Sequence, residues 1–190
     1  MDFGIVRLSS EWPGAKLYHL YDKKGKLRVV ADHGTPWLPV DPQQHVRFAR
    51  PSGDLVATMD LTWLPKQQRN GRHHVAYAII IDHAVYAILN KYWDGNDNQA
   101  APYFVLEAGE ELWLALDKPH EDRHYTLYDE VPSDLMITSD PQQSQLPEPI
   151  GYLYQGLGEY DYNIVFPTEQ LQHPALVSLA LIFLIDYGRF

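Results

Sequence analysis

The 190-residue chain contains no cysteine. That absence excludes disulfides, thiol catalysis, thiolate metal sites and palmitoylation, and it fits a reducing compartment. Positive charge is scarce, with 15 Lys and Arg against 25 Asp and Glu and a net charge of −10. Such a balance argues against a general nucleic-acid binder, which must neutralise phosphates, and against non-specific adhesion to anionic membranes. The first residues, Met1-Asp2-Phe3-Gly4-Ile5-Val6-Arg7, place an acid where a signal peptide carries basic residues. No apolar stretch follows, so the expectation is a cytoplasmic protein, at most peripheral at a membrane. Neither a Gly-x-Ser-x-Gly elbow nor a phosphate-cradling glycine loop is present. Pro/Gly/Ser linkers of any length are missing too. Segments 94–101 and 140–148 read as surface loops, and residues 1–190 read as a single domain.

What is abundant is aromatic: 13 Tyr, 5 Trp and 6 Phe, 13% of the chain. Aromatic residues suit pleated surfaces, so this composition favours strands. Short apolar-rich runs recur with turn signals between them. Residues 17–21 and 27–31 flank Asp22-Lys23-Lys24-Gly25, and 45–49 and 55–61 flank Pro51-Ser52-Gly53-Asp54. Residues 74–81 and 84–92 meet across Asp82-His83, a loop short enough for a hairpin. The series continues through 103–107, 112–116, 125–129, 135–138, 151–154 and 162–166. A dozen strands at this spacing imply a mostly β fold, and closure into an antiparallel barrel removes the exposed edges.

The C-terminus breaks the pattern. Pro174 stands where a first-turn proline belongs, and residues 175–185 are apolar on every side except Ser178. A helix apolar all round is buried either in protein or in lipid. From Pro174 to Tyr187 it rises about 21 Å, at ~1.5 Å per residue, short of the ~30 Å hydrocarbon core. The expectation is a buried core helix and no transmembrane span.

The last forty residues resemble the end of the phospholipid scramblase family and the wider tubby-like group, which includes the LURP-one-related proteins. The similarity rests on Ile150-Gly151-Tyr152-Leu153, then Asn163-Ile164-Val165-Phe166-Pro167, then the run closing on Phe183-Leu184-Ile185-Asp186-Tyr187. Upstream, hairpins 21–29 and 48–58 look like the family's repeated strand–turn–strand units. The resemblance implies a closed barrel of about twelve strands around one central hydrophobic helix. The proline-rich tail and cysteine cluster of animal scramblases are absent here.

That resemblance also directs attention to calcium, because scramblases carry an acidic segment before Phe-Pro. Here Glu159, Asp161, Asn163 and Glu169 occupy the neighbourhood. In an EF-hand-like reading from Glu159, oxygen ligands fall at positions one, three and five. Ile164 then stands where the turn needs Gly, and Gln170 where a bidentate Glu is needed. A solvated turn is the better account, leaving Asp161, Asn163 and Glu169 as residual metal candidates and no cofactor expected. His120 and His124 share a segment with Glu121 and Asp122 but sit in a loop between strands, and His73 and His74 alternate across a strand. Glu107, Glu110, Glu111 and Asp117 are the carboxylates that could pair in a hydrolytic cleft, though nothing singles out two of them.

Two basic groups stand out in the acidic chain. Lys66, Arg69 and Arg72 surround an Asn-Gly turn, while Lys23, Lys24, Lys26 and Arg28 cross a hairpin. Either set can hold a phosphate through charge-assisted hydrogen bonds, and the tubby resemblance implies phosphoinositide contacts of this kind. Lys24, Lys26, Lys66, Arg69 and Arg72 are therefore the candidate ligand-binding residues. The expectation is a non-enzymatic module that binds an anionic phospholipid headgroup or a protein partner. The alternatives are a small hydrolase with an acidic or histidine cleft, and a structural interaction module displaying Trp12, Trp37, Trp63 or Trp93.

Overall fold

A computed structural model describes residues 2–9, 16–33, 45–62, 72–94, 103–117, 124–132, 146–156, 158–165 and 173–187. Twelve strands and one helix follow in order: β1 (Asp2–Ser9), β2 (Lys16–Asp22), β3 (Leu27–His33), β4 (His45–Ala49), β5 (Leu55–Thr62), β6 (Arg72–Ile81), β7 (Ala84–Asp94), β8 (Tyr103–Ala108), β9 (Glu111–Asp117), β10 (Tyr125–Tyr128), β11 (Gly151–Gln155), β12 (Tyr162–Val165) and α1 (Pro174–Tyr187). Each strand pairs antiparallel with the next, and β1 pairs with β12, so the sheet closes into a barrel. Closure satisfies both edges of every strand.

β1 does not figure among the strands expected from sequence, and segment 135–138 lies outside the described residues. Phe3 and Ile5 of β1 point inward, but so does Arg7, opposite buried Tyr18. A charge at an interior position hides the alternation that marks a strand.

The tight turns gather at one end of the barrel. Gly25 and Gly53 take positive φ there, and Asp82 and His83 both do so in the two-residue β6–β7 turn. Successive positive φ values build a type I′ turn, whose twist matches the strands it joins. The connections after β1, β3, β5, β7, β9 and β11 lie at the other end, the loop end.

The helix fills the barrel. Leu176 to Phe183 and Ile185 are buried, and the one polar residue among them, Ser178, returns its hydroxyl to the Pro174 carbonyl at 2.8 Å. Small inward residues on the wall, Ala31, Ala57, Ala87 and Ala115, leave room for it, while Tyr18, Phe48, Met59, Ile79, Phe104 and Tyr162 complete the core. α1 starts at the turn end, where the His173 N–H donates to the Tyr86 hydroxyl at 3.2 Å. No helix among the described residues is long and apolar enough to cross a membrane.

Strands β8, β9 and β10 are buried on both faces. Their outward side chains Tyr103, Val105, Leu114, Leu116 and Tyr128 form a second apolar cluster, which Val131 and Leu146 cover. Both covering residues belong to the β10–β11 connection.

Candidate functional site

The hairpin between β2 and β3 is organised by Asp22. Its Oδ1 accepts the backbone N–H of Lys24 at 2.9 Å and of Lys26 at 3.0 Å. Its Oδ2 meets Arg28 Nε at 3.1 Å. The Lys26 and Lys24 N–H groups and the neighbouring cations hold the Asp22 carboxyl below its ordinary range. An Asx-type turn of this kind ties down the backbone and leaves Lys23, Lys24 and Lys26 exposed on its outer rim.

The neighbouring β4–β5 turn is built in the same manner. Arg50 N–H donates to the Asp54 carbonyl at 2.8 Å, Gly53 N–H to the Arg50 carbonyl at 2.9 Å, and Ser52 Oγ to Asp54 Oδ2 at 2.7 Å. Because β3 pairs with β4, with Val30 opposite Ala49, the two turns are adjacent. Together they carry five fixed cations (Lys23, Lys24, Lys26, Arg28 and Arg50) and two carboxylates (Asp22 and Asp54). This is a net positive rim on an acidic molecule. Sequence reasoning missed Arg50, since only the β3–β4 pairing brings it beside the lysine hairpin.

The second basic group belongs elsewhere. Lys66 and Arg69 fall outside the described residues. Arg72 opens β6 in register with Asp94, which is the loop end, so it stands at the opposite end of the barrel from Lys24 and Lys26. One ligand of headgroup size cannot touch both sets.

No family model matches the chain, and no curated protein or solved structure matches it.

Two of the three candidate calcium residues are described. The exposed Asp161 accepts the Arg7 backbone N–H at 2.7 Å, Asn163 lies in β12 opposite Gly4 and Tyr154, and Glu169 is outside the described residues. Among the described residues, no three His, Asp or Glu side chains gather at metal-binding spacing. Of the four candidate carboxylates, Asp117 stands apart from the other three, which flank the β8–β9 turn. Glu107 accepts from Asn90 Nδ2 at 2.8 Å on the outer wall, and the same Asn90 faces His74 Nε2 at 2.8 Å. Glu110 and Glu111 are exposed near the β8–β9 turn, while Asp117 ends β9 at the loop end. His124 packs near the Tyr152 and Tyr154 rings, and His120 is outside the described residues. Of the tryptophans expected at an interface, only Trp93 is described, and it is partly buried.

A third constellation closes the loop end. Asp186, the one acid in α1, has a side chain only 1% exposed. It accepts the Tyr18 hydroxyl at 2.8 Å and the Tyr162 hydroxyl, and Arg7 Nη1 lies 3.4 Å away. Burial, reinforced by the Asp186 carboxylate it faces, pushes the Tyr18 hydroxyl far above its ordinary range. Tyr18 is thus a fixed proton donor, and the cluster fastens the helix to β1, β2 and β12.

Proposed function

We propose that the chain is a tubby-like, non-catalytic binding module whose rim of Lys23, Lys24, Lys26 and Arg50 holds the phosphate of an anionic phospholipid headgroup. The observation that carries this reading is a positive rim mounted on two hydrogen-bonded turns of a molecule whose net charge is −10. A fixed turn lowers the ordering cost of a phosphate site, and lysine and arginine supply charge-assisted donors. The closed barrel with its apolar central helix supports the kinship with scramblase-like and tubby-like proteins that the C-terminal residues suggest.

Co-sedimentation with neutral, phosphatidylserine and phosphoinositide vesicles tests the reading. Salt-sensitive binding to one anionic headgroup is expected, and Lys24→Glu/Lys26→Glu should abolish it. Equal retention of the variant and the unaltered chain would overturn it.

A second reading, contact with a protein partner, draws on Tyr152, Tyr154 and Val165. These are exposed on the outer face of β11–β12, with Tyr152 directly opposite Val165. Exposed tyrosines are favoured anchors at interfaces. Absence of vesicle binding, together with loss of partner capture in Tyr152→Ser/Tyr154→Ser, would favour this second account.

A further inference from the structure

Leu55 is an apolar side chain left 56% exposed among cations. Its spacing from buried Ala57 and Met59 should aim it into the core, because strand side chains alternate. A β-bulge turns it out instead. Phe48 pairs with Ala57 but Ala49 pairs with Leu55, so Val56 is the extra residue between them. Directly paired residues share a face. Ala49 follows the inward Phe48, so Ala49 and Leu55 both face outward. The β2–β3 hairpin repeats the device. There Leu20 pairs with Val29 and Tyr21 with Leu27, which makes Arg28 the extra residue and places Leu27 on the outer face.

The two leucines belong to one patch. Leu55, Ala49 and Val30 form a cross-strand row over β5, β4 and β3, and Leu27 shares that outer face of β3. Leu27, Val30 and Ala49 are all partly open to solvent. The exposed Lys26, Arg28 and Arg50 border the row at the turn end. The carboxylates of these two turns are already engaged, Asp22 by backbone N–H groups and Arg28, and Asp54 by the Ser52 hydroxyl. Asp32 and Asp60, the other acids of this face, pair with Arg47 and His45 toward the loop end. An apolar strip bordered by cations is complementary to an anionic bilayer, in which phosphates overlie hydrocarbon. A free phosphate would satisfy the cations and leave the leucines in water.

We propose that the outer face of β3–β5 at the turn end is a bilayer-docking surface. Leu55 and Leu27 enter the boundary between headgroups and acyl chains, while Lys26, Arg28 and Arg50 reach the phosphates. This inference rests on the headgroup reading and adds that the headgroup is met in a membrane rather than free in solution. Interfacial binding combines buried apolar area with attraction to anionic lipid, so the leucines supply the part of the affinity that salt does not screen.

The chain has no cysteine, so Leu55→Cys accepts a single environment-sensitive fluorophore. Tyr152→Cys gives the control, since β11 stands six strands from β5 in the ring and Tyr152 is likewise exposed. Each labelled protein is mixed with phosphatidylcholine vesicles containing phosphatidylserine or a phosphoinositide, with and without a spin-labelled lipid as quencher. The label at position 55 should shift to the blue and be quenched by the spin-labelled lipid, while the label at position 152 should do neither. Leu55→Ser should weaken vesicle binding about tenfold and leave binding of the deacylated, soluble headgroup unchanged. Vesicle binding with the label at position 55 still in water would overturn the inference and leave the headgroup reading standing. Binding of the soluble headgroup without vesicle binding would do the same. Binding of neither would overturn both.

Discussion

Asp186 gathers two tyrosine hydroxyls and an arginine around a side chain that is 1% exposed, while Arg7 itself is 43% exposed. Truncating the acid strands two buried hydroxyls, and an unmet buried donor costs more than a hydrogen bond contributes. Asp186→Ala should therefore lower unfolding stability by about 2–4 kcal/mol, and Tyr18→Phe by about 1–2 kcal/mol, in guanidinium titrations. Lys91 has the opposite character. Its ordinary value of 10.5 drops to about 8 in the fold, so between those pH values the unfolded chain binds the extra proton. Stability from this group rises with pH across that window and is lowest below it. Lys91→Met should stabilise the protein by about 1–2 kcal/mol at pH 7, and the difference should close as pH approaches 10 in parallel thermal melts. A difference independent of pH would refute this electrostatic account. Neither residue's role is legible locally. Lys91 reads as a solvated lysine until its parity with Ala87 and Leu89 is followed. Arg7 and Asp186 meet across 179 positions of sequence, a pairing that no spacing announces.

Among the elements, the tight hairpins and the helix were readable because their signals are local. Gly25 and Gly53 sit at positive φ inside the turns that their neighbours predict, and Pro174 begins α1 as its missing N–H requires. The central position of the helix follows from an apolar surface with no polar stripe, which leaves nothing for water to solvate. β1 escaped because its interior carries Arg7, and the double burial of β8 to β10 because its cover comes from a distant connection. At Gly151, the residue that opens β11, an added Cβ would run into the backbone carbonyl oxygen of Val165 on β12. Backbone has little freedom to yield there, so Gly151→Ala should push β11 from β12. The expected outcome is a lower denaturant midpoint and faster amide exchange at Tyr162 to Val165 than elsewhere in the barrel. Uniform exchange across the sheet would contradict it.

At the scale of the whole molecule, the β2–β3 and β4–β5 turns are a local positive patch on an acidic chain. They carry Lys23, Lys24, Lys26, Arg28 and Arg50 against a global −10, while Asp82, Glu110 and Glu111 stand at other turns of the same barrel end. Local attraction and global repulsion of an anionic surface screen alike with salt, but the local contacts are the shorter-ranged. Vesicle binding through the rim should therefore be weak at very low ionic strength, pass through a maximum, and fall at high salt. A monotonic decline from the lowest salt would mean that the acidic bulk does not matter. The sequence supplied both basic groups, but only the barrel's up-and-down topology separates Arg72 from Lys24 and Lys26. Linear proximity carries no information about which end of a barrel a residue occupies.

The seam that closes the barrel joins Asp2 to Val165, and the helix that fills it comes later still in the chain. During synthesis every strand therefore emerges before the residues that give the interior something to pack against. A nascent chain extending only to Val165 has its full complement of hairpins and a hollow centre lined by Phe48, Met59, Ile79 and Phe104. Local pairing can proceed early, but consolidation must wait for α1, and contacts this remote in sequence form slowly. Until the plug arrives, those lining side chains are the surface on which a chaperone could act.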